Sequence, residues 1–192
     1  MKTRWLVAAV LTLFLTACQG DTATILVDQT ADVTVTGVAL PEYGQPDGGV
    51  GLTPPVLSGA SFDGSPVTID PADGAQVVLF VTHWCSHCQN EIPVVVDWLA
   101  AGGLPDGVKL TVVSTAVSSG QPNYPPSEWL ARENVTVPIL LDDAAGNAAG
   151  SYGLTFFPYI VTIGASGKVV TRVTGELPAS ALDALVANLG DS

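Results

Sequence analysis

Gln76-Val77-Val78-Leu79-Phe80-Val81-Thr82 is an apolar run closed by one polar residue at each end, and it leads directly into His83-Trp84-Cys85-Ser86-His87-Cys88. A short run of this kind, without alternation, has the length expected of a strand buried on both faces. Residues 89–101 follow as a helix, with Pro93 expected to kink it and Gly102-Gly103 to end it. A buried strand thus delivers a Cys-x-x-Cys pair to the start of a helix. There Cys85 faces unpaired backbone N–H groups and the positive end of the helix dipole, and both favour a thiolate. Cys88, one turn on, is within reach of a mixed disulfide formed at Cys85, so the pair can cycle between dithiol and disulfide.

The pattern around this core is α/β. Strand signals cover 66–69, 108–114 and 137–141. A short helix over 127–133 is expected to take Ser127 as its N-cap, and a small-residue helix covers 144–152. Asp142 and Asp143 read as capping and turn residues, not as a catalytic carboxylate pair. Residues 158–163 and 169–173 flank Gly164-Ala165-Ser166-Gly167 as a hairpin, and 178–189 form the last helix, with Pro178 at its start and Gly190 after its end. The expected architecture is a central mixed β-sheet flanked by helices over residues 51–192. Residues 18–50 read as a flexible tether in which only 33–38 alternate enough for a short strand.

With 192 residues, 47% hydrophobic and 12% charged, the chain holds one ordinary domain plus attachments and is not disordered by composition. Its formal charge is −12, from 18 acidic and six basic residues. Without basic runs it cannot neutralise phosphates, which excludes nucleic acid as a partner and an anionic membrane as an electrostatic one. Lys2 and Arg4 precede an apolar stretch, 5–17, that is too short for the ~20 residues of a bilayer span, so residues 1–17 read as a signal peptide. The stretch ends in Leu15-Thr16-Ala17-Cys18, which resembles a bacterial lipobox. That resemblance implies lipid modification of Cys18 and a domain held outside the cytoplasm on the cell membrane. Of three cysteines, Cys85 and Cys88 then remain, able to bridge only each other.

Trp84-Cys85-Ser86-His87-Cys88 followed by Glu91-Ile92-Pro93, and Pro158 within the stretch 152–170, resemble the thioredoxin-like superfamily. More narrowly they resemble exported thiol–disulfide oxidoreductases of the TlpA/ResA type. The resemblance implies a thioredoxin-like fold, Cys85 as the attacking cysteine, Cys88 as the resolving one, and Pro158 as a cis-proline bordering the substrate groove. It implies that Glu91 tunes the pair or moves protons, while Trp84 flanks the reactive sulfur. His87 is expected to donate a hydrogen bond, or a charge, to the Cys85 thiolate, as in oxidising Cys-x-His-Cys proteins. Implied partners are protein thiols or disulfides and a membrane redox partner, with no cofactor and a monomeric chain. Two departures stand out: Leu79 replaces the buried Asp of thioredoxin, and Phe157 precedes Pro158 where a small or branched residue is usual.

Two rivals are weaker. A peroxiredoxin-like peroxidase fits Thr82-His83-Trp84-Cys85, but Val78 stands where a proline is usual, and neither Arg132 nor Arg172 lies in the expected context. A metal-binding module draws on His83, Cys85, His87 and Cys88, four ligand-type side chains in six residues. The only histidines are already in that cluster, and no second cluster supports it, so no metal is expected. His83 reads as a polar residue at a strand end.

Overall fold

The computed structural model describes residues 29–187 and 189–192. In chain order the elements are β1 (Thr34–Thr36), β2 (Val56–Ala60), β3 (Pro66–Ile69), β4 (Gln76–Val81), α1 (Ser86–Ala100), β5 (Lys109–Ser114), α2 (Pro126–Arg132), β6 (Ile139–Leu141), α3 (Asn147–Ser151), β7 (Tyr159–Ile163), β8 (Val169–Thr174) and α4 (Ala179–Val186). The central sheet has the order β6-β5-β4-β7-β8. Strands β4, β5 and β6 are parallel, β7 runs antiparallel to β4, and the edge strand β8 runs antiparallel to β7.

Every residue of β4 is buried, as its apolar run demands. Alternation along the strand splits them between two cores. Val77, Leu79 and Val81 join Ile92, Val95 and Trp98 of α1 and Leu182 and Val186 of α4. Val78 and Phe80 join Leu57, Ile69, Tyr152 and Tyr159 on the other face. The mixed sheet with helices matches the expected architecture, and Leu79 is an ordinary core residue of the first cluster.

The tether expectation does not hold for the described part of 18–50. Thr34, Val35 and Thr36 pair with Ser58, Leu57 and Val56, so β1 begins a three-stranded sheet, β1-β2-β3. Leu40 is buried, Tyr43 packs its ring against Tyr159, and the Asp47 carboxylate pairs with the enclosed Arg172 guanidinium. Gly153, at φ +74°, receives this segment, and a Cβ there would collide with the Pro41 carbonyl. The contacts of Pro41, Tyr43 and Asp47 are with residues over 100 positions away, which is why a Pro- and Gly-rich stretch read locally as spacer. Residues 1–17 and Cys18 lie outside the described residues.

Smaller differences follow local chemistry. Helix α1 starts at Ser86 with Cys85 as N-cap, three residues before the expected start. Helix α2 starts at Pro126, and Ser127 does not cap it; the Ser127 N–H donates to Gln29 Oε1 at 2.9 Å. Asp142 caps α3 as expected, accepting from the N–H groups of Ala148 and Ala149 and from the Thr115 hydroxyl. No helix among the described residues is long and apolar enough to cross a membrane.

Candidate active site

The end of β4 and the first turns of α1 bring Trp84, Cys85, His87, Cys88 and Glu91 together, and both cysteines are free thiols. Cys85 has extended backbone and no side-chain cap bond, so its sulfur stands at the open N-terminus of α1. It is half-buried, whereas Cys88 is fully buried in the first core. Burial pushes the Cys88 thiol well up; a Thr82 backbone contact opposes this, and the charges of Cys85 and Glu91 add to it. The asymmetry suits an attacking Cys85 and a Cys88 that stays protonated until it is needed.

Glu91 is a buried acid, 1% exposed, on the same inward stripe of α1 as Cys88, Ile92 and Val95. Its Oε2 accepts the Leu177 N–H at 2.7 Å, and its Oε1 has no hydrogen-bond partner among the described residues. Burial raises its pKa, the Leu177 N–H lowers it, and the nearby Glu176 carboxylate raises it further. An acid so placed holds its proton to higher pH than a solvated glutamate does.

His87 does not follow expectation. Its Nδ1 bonds Glu176 Oε1 at 2.5 Å, and Asn90 Nδ2 donates to the same oxygen at 3.1 Å. The imidazole is tied to the turn between β8 and α4, so its nearest charge partner is a carboxylate. That pair holds Glu176 below the usual carboxylate range.

Two aromatic rings meet beside the motif. Phe157–Pro158 is a cis peptide, as expected, and the Trp84 ring meets Phe157 edge-on at 6.1 Å between centroids. The Trp84 indole N–H donates to Ala116 O at 2.8 Å. Phe156 is 72% exposed beside them.

His83 is more than a strand-end residue. It is buried, its Nδ1 lies 2.6 Å from Pro122 O, and its Nε2 accepts the Ser118 N–H at 3.1 Å. The second contact requires a bare Nε2, so the proton is on Nδ1, which donates to Pro122 O. Two positions before Cys85, this ring pins the loop 115–125 beside the site. No local signal pointed to it, because its partners lie 35 and 39 residues away. Glu176, 89 positions from His87, was equally silent in sequence.

The rivals lose their residues here. His83 has both ring nitrogens committed, and among the described residues no group of three or more His, Cys, Asp or Glu is placed to hold a metal ion. Arg172 is enclosed by Asp47, Pro41 O and Tyr152 O in the second core, and Arg132 bonds Asn123.

A thioredoxin-like sheet presenting a dithiol at the N-terminus of its first helix defines the class of thiol–disulfide oxidoreductases. The chain belongs to the Redoxin family, whose profile matches residues 28–186. It is 27% identical over 147 residues to sporulation thiol-disulfide oxidoreductase A of Bacillus subtilis, covering 76% of this chain and 84% of that one. Its fold resembles a thiol:disulfide interchange protein of Chlorobium tepidum with TM-score 0.60, at 22% identity over 72% of this chain and 96% of that one. It also resembles a secreted Mycobacterium tuberculosis disulfide oxidoreductase homologous to DsbE of E. coli, with TM-score 0.57 at 23% identity, covering 69% and 95% of the two chains.

Proposed function

We propose that the chain is an extracytoplasmic, lipid-anchored oxidoreductase that exchanges disulfides with protein substrates through Cys85 and Cys88. The observation that carries this reading is the burial contrast: a half-buried Cys85 at the α1 N-terminus above a fully buried Cys88 beside the acid Glu91. In the reductive direction the Cys85 thiolate attacks one substrate sulfur, and the other leaves as a thiolate. Glu91 takes the Cys88 proton. The Cys88 sulfur then attacks Cys85 Sγ, the substrate's remaining sulfur leaves as a thiolate, and the Cys85–Cys88 disulfide forms. Two electrons have passed to the substrate, and a membrane redox partner restores the dithiol. Trp84, Phe157 and Pro158 form the groove that receives the substrate segment.

Trapping tests this. Cys88→Ser is expected to accumulate mixed disulfides through Cys85, and Cys85→Ser to abolish exchange. Mixed disulfides held by Cys88 in Cys85→Ser would reverse the roles. The anchor rests on Leu15-Thr16-Ala17-Cys18 after a short apolar stretch. Cys18→Ala is expected to release the protein from the membrane fraction or block its processing, and an unchanged fraction and mature mass would refute the anchor.

A further inference from the structure

The turn between β8 and α4 touches the redox helix at three points in succession. Glu176 Oε1 accepts from Asn90 Nδ2 at 3.1 Å and bonds His87 Nδ1 at 2.5 Å. The next residue, Leu177, donates its N–H to Glu91 Oε2 at 2.7 Å, the only hydrogen bond the buried carboxylate makes among the described residues. The Leu177 side chain packs against the first core, to which α1 contributes Cys88, Ile92 and Val95. The Glu176 carboxylate is the turn's polar side-chain link to α1, and the adjacent amide carries that link on to Glu91.

We infer that Glu176 is a positioning residue, which clasps His87 and Asn90 so that the Leu177 N–H orients Glu91 for proton exchange with Cys88. The inference rests on the proposed role of Glu91 in Cys88 chemistry. Glu176 touches neither sulfur; it acts through Leu177. With the clasp closed, one carboxylate oxygen of Glu91 is held by an N–H and the other is left open to take a proton. With the clasp open, Glu91 loses its one donor, and its ionised form is left buried without compensation. The groups bearing on Glu91 are Glu176 on the turn, Cys88 on α1 and, through Cys88, Cys85 at the N-cap. His87 acts on it only by way of Glu176.

The step to follow is resolution. Cys85 of the full chain is charged with thionitrobenzoate as a mixed disulfide. Cys88 gives its proton to Glu91 and attacks Cys85 Sγ, the Cys85–thionitrobenzoate bond breaks, and coloured thionitrobenzoate leaves as the thiolate while the Cys85–Cys88 disulfide forms. No outside oxidant takes part. Glu176→Ala is expected to slow this step about tenfold at neutral pH, the scale of a modestly misplaced catalytic group, and to move the midpoint of its pH–rate profile. Glu176→Gln keeps an acceptor for His87 and Asn90 and should recover most of the rate. In a Glu91→Gln background the Glu176→Ala effect should disappear, since coupled residues are not additive. Hydrogen exchange at the Leu177 amide should quicken in Glu176→Ala. If Glu91→Gln alone slows resolution but Glu176→Ala does not, or slows it equally in both backgrounds, the clasp is wrong and the role of Glu91 stands. Equal loss in the Ala and Gln variants, or an unchanged Leu177 amide, also overturns it. If Glu91→Gln leaves resolution untouched, the role of Glu91 fails and the clasp with it.

Discussion

Glu91 shows most clearly what one residue does to this site. Its neighbours on the inward stripe of α1 are Cys88, Ile92 and Val95, so the helix draws a carboxyl group into an apolar core. In the proposed exchange the gain is a proton carrier beside the buried thiol; the cost is stability. Burial raises the Glu91 pKa, so the folded chain holds a proton that the unfolded chain has released. Folded protein then binds more protons than unfolded protein over the span from about 4.3, the unperturbed glutamate value, up to the raised one. Stability therefore falls as pH rises through that window, at about 1.4 kcal/mol for each unit of displacement. Glu91→Gln cannot titrate and should lose this slope. Urea unfolding at a series of pH values is expected to show the variant gaining on wild type from about pH 4 upward, while exchange activity drops. Parallel curves for the two proteins would mean that Glu91 carries no such penalty.

At the scale of elements, the local signals were legible and the docking between them was not. The β4 run and the Cys-x-x-Cys at its end read directly, because burial on both faces leaves no polar interruption. The inward face of Glu91 was available in the same way: residues 88, 91, 92 and 95 follow helical spacing, and a polar member of an apolar stripe is a signal. His83 had no such cue. It joins the end of β4 to a loop whose backbone reaches it only in the fold, taking a donor from Ser118 and giving a proton to Pro122. This connection also supports Trp84, whose indole bonds Ala116 of the same loop. His83→Ala should leave the Ser118 N–H and Pro122 O without their partner and destabilise the chain by about 2 kcal/mol. The larger effect is expected locally: faster hydrogen exchange at Ser118 and weaker disulfide exchange, as the loop beside the groove loosens. A Ser118 amide as protected as in wild type would show that the loop holds itself.

For the whole molecule, the consequence lies in where the domain begins. The stretch read as spacer supplies β1, a buried Leu40 and the carboxylate of Asp47 that pairs with Arg172, whose side chain is 0% exposed. The Arg172 hydrogen bond holds the Asp47 carboxyl below its usual range, so this pair adds stability above about pH 4 that is lost as pH falls through the depressed value. If Cys18 carries the lipid, residues 19–33 separate it from β1, a reach of at most ~54 Å for fifteen residues fully extended. The site would then act on substrates near the membrane surface, which suits exchange with a membrane redox partner. The boundary can be tested by shortening the chain. A protein beginning at residue 29 should unfold as cooperatively as the full chain, since it keeps β1, the buried Leu40 and the Asp47–Arg172 pair. One beginning at residue 51 would lose the Asp47–Arg172 pair together with the segment that encloses it, would lose β1 from the three-stranded sheet, and would uncover apolar surface worth ~2 kcal/mol where Leu40 packs. Losses of this kind are large against the ~5–15 kcal/mol that holds an ordinary domain together. The shorter chain is therefore expected to melt far below the longer one or to lose its cooperative transition. Equal melting of the two chains would return residues 29–50 to the role of a spacer.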